Sequence, residues 1–300
     1  MRVVRTPGAE DLERAWLDVS AALAPTPVVP SELGLLKLET FQPTGSFKVR
    51  GAIAALTPGE PAVTASAGNH GLAMAYAASR IGAELTVVVS TRASAAKVAG
   101  IASYPVRLVE HGDGYDQAEV HALSLPGRYV SPYNDPLVIA GQGTVGRELD
   151  AQVDGPVTVV APVGGGGLVS GLALWSRRRG DVRLVGVEAE RSRAVSEAVK
   201  AGRIVEVNVG ETIADGLAGN IEPGSVTPGM LRRTELTAVT EAEIRAAMRW
   251  LFAEHGLVVE GAGACGVAAV LAGKVEVSGR LVTVLSGRNI TGAAYAEVLT

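Results

Sequence analysis

"PVTVVAPVGGGGLVSGLALW", residues 156–175, sets out a fold in miniature. Residues 156–163 are almost wholly apolar and read as a strand buried on both faces, as in a parallel sheet covered by helices. Four consecutive glycines, Gly164 to Gly167, end it, and a helix of small and apolar residues follows. Glycines let successive backbone N–H groups approach an anion closely, and a helix N-terminus adds partial positive charge. One or two glycines would serve a tight turn, whereas four in a row point to a phosphate. No Gly-Lys-Ser/Thr follows, so this is not a nucleotide P-loop.

Strand and helix alternate on both sides of this unit. Strands are predicted at 35–39, 62–66, 83–90 and 104–110, with helical segments after each. Beyond the glycines come strands at 183–190 and 280–287. A helix begins at Glu241 with apolar residues at i, i+3, i+4 spacing and Thr240 as its N-cap. The pattern predicts an α/β protein with two sheet systems divided near residue 135 and a cleft between two lobes.

Composition narrows the function classes. The chain has 300 residues, 47% hydrophobic and only 19% charged, enough for a sizeable core. A net charge of −4 argues against nucleic acid or an anionic membrane as the main partner. The single cysteine, Cys265, excludes an internal disulfide and a cysteine-based zinc cluster. The N-terminus lacks a signal-peptide core and no apolar run is long enough to span a bilayer, so a cytoplasmic protein is expected.

Three further turns carry polar groups. "PTGSFKVRGA" (43–52) places Lys48 just before a helix of small residues, the defined setting that a lysine bonding covalently to a carbonyl requires. "SAGNHG" (66–71) follows a strand; Ser66 and Asn69 can donate to a carboxylate or ring oxygen, and Asn69 and His70 sit at the strand's carboxyl end, where ligands bind in such sheets. "LSGRN" (285–289) closes the last strand; Ser286 reads either as a ligand contact or as the N-cap of the final helix. Gly165 and Gly167, with Glu188 about 20 residues on, also match part of a dinucleotide fingerprint, which keeps an NAD- or nucleotide-binding protein open.

"PTGSFKVRGA", "ASAGNHG", "VGGGGLVSG", "TIADGLAG", "VEGAGA" and "VLSGRN" occur here in the order seen in fold-type II pyridoxal-phosphate enzymes. The chain most resembles the serine/threonine dehydratases and serine racemases, from about residue 25 to 295. That resemblance implies two open, twisted, mostly parallel sheets flanked by helices, with the cofactor between a large domain (1–49 and 137–300) and a small mobile one (50–136). It implies that Lys48 carries pyridoxal phosphate as a Schiff base beside Phe47. Asn69 would bond the ring's 3-oxygen, Gly164, Gly165, Gly166 and Gly167 would hold the phosphate, and Ser286 would face the pyridine nitrogen. Ser66, Ala67, Gly68, Asn69 and His70 would receive the substrate carboxylate.

Lys48 would then remove the Cα proton, and an amino-acid substrate with a β-hydroxyl, such as threonine or serine, would yield a 2-oxo acid and ammonia. Racemisation and β-replacement are the alternatives within the family. Ala67 stands where serine racemases place a proton-delivering serine, and "SAGNHG" departs from the "TSGNTG" of cysteine synthases, so elimination is favoured. Asp215 and Glu260 match family positions near the cofactor; their simpler readings are a turn aspartate and a helix-start carboxylate. The family's cation site is matched by Glu188 alone, with Ser192 and Ala194 at the later positions, so a divalent or monovalent cation stays open. A homodimer is also implied by the resemblance.

Overall fold

A computed structural model describes residues 2–300. Its first half contains α1 (Ala9–Ala22), β1 (Val28–Ser31), β2 (Gly34–Leu38), α2 (Lys48–Ala55), β3 (Ala62–Ala65), α3 (Asn69–Ile81), β4 (Leu85–Val89), α4 (Ala95–Ala102), β5 (Arg107–Glu110), α5 (Tyr115–Ser124), β6 (Arg128–Tyr129) and α6 (Pro136–Gln152). Its second half contains β7 (Val157–Pro162), α7 (Gly167–Ser176), β8 (Val182–Ala189), α8 (Ala194–Ala201), α9 (Thr227–Met230), β9 (Glu235–Val239), α10 (Glu241–His255), α11 (Gly261–Leu271), β10 (Arg280–Leu285) and α12 (Gly292–Leu299).

Two sheets result. The larger runs β1-β2-β10-β7-β8-β9 and is parallel except for β1, which pairs antiparallel with β2. The smaller runs β5-β4-β3-β6 and is parallel throughout. All six residues of β7 and five of the six in β10 are buried, as both faces are covered by helices. The first and last strands of the parallel run meet directly, with Leu35 opposite Val282 and Leu38 opposite Leu285.

Most predicted strands appear within a residue or two of their expected ends. The segment 104–110 is an exception, its strand starting only at Arg107 after Pro105, which has no N–H to give a ladder. The strand expected at 35–39 ends at Leu38, and Glu39 opens a 3-10 turn. Thr240 caps α10 as expected: its Oγ1 accepts from Glu243 N and Glu243 Oε2 accepts from Thr240 N.

Helix α6 emerges where no helix was expected. Its glycines let other elements approach closely: a Cβ on Gly143 would fall 2.7 Å from the Gly171 carbonyl, and one on Gly146 would overlap the Trp175 indole. Asp135 caps it, accepting from Leu137 N at 2.9 Å and Val138 N at 3.2 Å. Beside α6, a buried quartet holds α2 against β2. Arg50 donates to Glu39 through Nε and Nη2 and to Glu148 through Nη1, each at 2.7 Å. Lys37 pairs with Glu148 at 2.5 Å. Two cations face two carboxylates, and the four side chains are at most 3% exposed.

Candidate active site

The loops that leave β3, β7 and β10, the start of α2 and the segment after β6 converge at one place. Lys48 is the first residue of α2, and the turn before it is pinned to the last strand: Phe47 N donates to Ser286 O at 3.0 Å, and Ser46 pairs with Gly287. Its amine donates to the Pro132 carbonyl at 2.8 Å, beyond β6, and lies 5.2 Å from the centre of the Phe47 ring. The side chain keeps an opening to solvent, yet protein encloses the amine on most sides. Burial pulls its pKa down to about 8, against a smaller upward pull from Glu260. An ordinary lysine is almost wholly protonated at neutral pH; with a pKa of about 8 this one is about one-tenth neutral there.

Tyr133, the residue after Pro132, leads to the glycine turn. Gly166 adopts φ +86°, a conformation that favours glycine, and Gly167 begins α7. Tyr133 packs so closely that a Cβ on Gly165 would overlap its ring and one on Gly167 would fall 2.9 Å from its Cα. Thr227 Oγ1 donates to the Gly165 carbonyl at 2.8 Å, and Leu217 backs Gly164. The turn is thus braced from three sides with its amides at a helix N-terminus. Ser46 Oγ and Ser170 Oγ are buried without a hydrogen-bond partner among the described residues.

The loop after β3 supplies the third wall. Ser66 Oγ accepts from Gly68 N at 3.2 Å, and Gly68 is the N-cap of α3. A Cβ on Gly71 would overlap the Ser66 carbonyl, so the turn requires glycine there. Asn69 projects toward the large sheet, donating to Glu260 Oε1 at 2.7 Å and accepting from Asn289 Nδ2 at 2.6 Å. His70 differs: its ring is buried, with Nε2 3.4 Å from the Val130 carbonyl. Burial first, then the Lys48 charge, pull it down to about 3, so the imidazole is neutral. Ala67 offers only a methyl group.

The remaining candidates separate. Ser286 is buried at the end of β10, and the final helix is capped by Thr291, whose Oγ1 accepts from Ala294 N at 3.3 Å. The helix-cap reading of Ser286 therefore fails. Glu260 is N-cap of α11 by position, but its side chain turns to Asn69 and lies so close over Gly287 that a Cβ there would overlap it. Burial, with repulsion from Asp215 behind it, raises its pKa to about 7. Asp215 is exposed and pairs with Lys97. Glu188 accepts from Val195 N at 3.0 Å and from Ser196 N, capping α8. That engagement occupies the carboxylate that a ribose or a cation would need.

Tyr133, Thr227, Asn289, Lys97 and the Pro132 carbonyl escape a reading of the sequence. Each is an ordinary residue in a loop or helix, and only long-range packing brings it here. Asn289 falls within the quoted "LSGRN", the one available signal.

A buried lysine amine with a pKa lowered to about 8, bonded one residue from the tyrosine that packs on a braced amide cradle, on loops from the carboxyl ends of two parallel sheets, defines the class: a fold-type II pyridoxal-phosphate enzyme. The chain belongs to the pyridoxal-phosphate dependent enzyme family, which residues 19–287 match, and within it to the serine/threonine dehydratase group. It is 39% identical over 269 residues to an L-threonine ammonia-lyase of Thermotoga maritima, covering 85% of this chain and 67% of that protein. It is 35% identical over 279 residues to the catabolic L-threonine dehydratase TdcB of Escherichia coli, covering 88% and 84%. Among solved structures, the T.th. threonine deaminase superposes with a TM-score of 0.87 at 35% identity, covering 95% of this chain and 99% of that one. Maize serine racemase superposes at 0.90 with 28% identity, covering 98% and 97%.

Proposed function

We propose that this enzyme catalyses β-elimination from L-threonine, L-serine or a related β-hydroxy amino acid, releasing a 2-oxo acid and ammonia. The observation that carries the reading is the Lys48 amine, enclosed, held at about 8 and bonded to the Pro132 carbonyl, one residue from the Tyr133 that packs on the glycine cradle. The curated relatives named threonine ammonia-lyase and threonine dehydratase, at 39% and 35% identity, support it.

The residues present fit pyridoxal phosphate. Gly164 to Gly167 would bind its phosphate through their N–H groups and the start of α7, and Asn69 and Ser286 would hold its ring. When bound, the cofactor supplies a conjugated ring that takes up the electron pair left at Cα. Lys48 would be its covalent anchor, and as a free amine beside the substrate it would take the Cα proton. The α3 N-terminus and the Ser66–His70 loop would orient the substrate carboxylate. His70 is buried against the Val130 carbonyl, and burial lowers its pKa, so its ring is read as packing support for that loop. Ala67 cannot deliver a proton to the opposite face, which disfavours racemisation. In net terms the Cα proton and Cβ hydroxyl leave as water, and water returns when the product imine hydrolyses to 2-oxo acid and ammonia.

The unit 50–136 is read as a domain that closes on the large one, the enzyme as a cytoplasmic homodimer. No helix among the described residues is long and apolar enough to cross a membrane. Light scattering after gel filtration tests the dimer.

The deciding experiment supplies L-threonine, L-serine and 3-hydroxyaspartate to the holoenzyme and measures 2-oxo acid. Native enzyme should turn over at least one of these, and Lys48→Ala none. Borohydride reduction and peptide mapping should label Lys48. D-serine formed from L-serine faster than pyruvate would overturn elimination as the main activity.

A further inference from the structure

Lys97 on α4 donates to Asp215 Oδ2 at 2.6 Å, although the two are 118 residues apart. They belong to opposite sides of the cleft. α4 follows β4 in the small sheet, whereas Asp215 opens a 3-10 turn that belongs with the large one. That turn backs the phosphate cradle, since a Cβ on Gly164 would fall 3.0 Å from Leu217 Cα. It also abuts the start of α11, where a Cβ on Gly216 would lie 3.3 Å from Ala262 Cβ. Glu260 feels both charges, Asp215 pushing its pKa up and Lys97 pulling it down. The pair therefore lies beside the start of α11, where Glu260 meets Asn69.

Its exposure is the second observation. The Lys97 and Asp215 side chains are 38% and 61% exposed. An ion pair in that setting forms and breaks at little cost, and salt weakens it. Buried pairs such as Arg50–Glu39 fix a structure permanently; an exposed one across a cleft can open for substrate and close again.

We propose that Lys97 is a positioning residue, holding the small-sheet unit closed over the substrate by pairing with Asp215 on the cradle's supporting turn. The proposal rests on reading the cleft as the amino-acid site, but not on which amino acid enters. It assigns no chemistry to Lys97. Removing the amine lets the closed form reopen more readily, so substrate is held less well while Lys48 works as before.

The test compares native holoenzyme with Lys97→Met and Lys97→Arg. At low salt, Lys97→Met should raise KM about threefold with kcat kept within about twofold, the range open to an exposed pair. Lys97→Arg should restore the native KM. The difference should vanish near about 0.5 M KCl, where the native pair is screened. Hydrogen exchange without substrate gives a readout independent of turnover: residues 95–102 and 213–219 should exchange faster in Lys97→Met, and those of α7 should not. Native KM and native exchange in Lys97→Met would overturn the proposal, as would a fall in kcat at unchanged KM. If the holoenzyme proves to have no lyase activity, the functional reading fails, and the exchange measurement still decides the clasp.

Discussion

The side-chain amide of Asn69 donates to Glu260 Oε1 at 2.7 Å across the cleft, joining the start of α3 to the start of α11. Its carbonyl accepts from Asn289, whose Nδ2 also donates to the Thr44 carbonyl at 2.8 Å. Both ends of the Asn69 amide are thereby fixed, and one N–H is left for another acceptor. A residue proposed to bond the cofactor ring has its orientation set by a carboxylate that titrates near neutrality.

That titration has a stability signature. The Glu260 carboxyl has a folded pKa of about 7 against an ordinary 4.5, so protonation favours the fold. Its contribution is complete below about 4.5 and is lost as pH rises through about 7. For a group this deeply buried the loss amounts to as much as about 3 kcal/mol. Glu260→Gln keeps the acceptor for Asn69 but does not titrate. Urea unfolding of the two proteins at pH 4.5 and pH 8 should show the native enzyme losing about that much relative to the variant. A difference that stays constant with pH would refute the assignment.

Lys48 gives a kinetic signature with the opposite sense. Only a neutral amine attacks an aldehyde, and the neutral fraction grows as pH rises toward about 8. Cofactor uptake by the apoprotein, followed by absorbance, should accelerate about tenfold per pH unit below that value and level off above it. An unperturbed lysine would keep accelerating to beyond pH 10, and that profile would show that burial does not lower this amine.

The cradle tolerates no added methyl. Gly165→Ala drives a Cβ into the Tyr133 ring, an overpacking that costs about 1–3 kcal/mol and displaces an amide of the proposed phosphate cradle. Cofactor affinity should fall at least about tenfold by equilibrium dialysis. Gly180→Ala, where an added Cβ meets nothing within 4 Å, serves as the control and should bind normally.

Arg50 anchors the helix that begins at Lys48. Arg50→Lys keeps the charge but loses the forked grip on Glu39 and the separate contact to Glu148. A buried carboxylate left poorly paired costs about 3 kcal/mol or more. Thermal unfolding should register the loss at low and high salt alike, since the quartet is shielded from water. A loss that disappears in salt would mean that the network is solvated.

Alternation of valine-rich strands with small-residue helices made the two sheet systems legible, because strands buried on both faces leave continuous apolar runs. The turns at Lys48, the four glycines and Asn69 were legible for another reason: glycine and short polar residues mark where the chain leaves a strand for a helix. Helix α6 was not, since Gly141, Gly143 and Gly146 lower its propensity and its stability comes from packing on α2 and α7. Strand β9 was missed because "ELTAV" is short, partly exposed and without turn signals that set it apart. Tyr133 and Lys97 depend on partners about 30 and 118 residues away in sequence, Gly165 and Asp215, and no local pattern encodes such partnerships.

Pairing of β2 with β10 has a temporal meaning. Leu35 is made 247 residues before its partner Val282, so during synthesis β2 waits with only its β1 edge paired. The lysine-bearing turn is fastened to the carbonyl just beyond that final strand, and it too must wait. The turn that carries Lys48 therefore gains its full support only once Ser286 and Gly287 have been made.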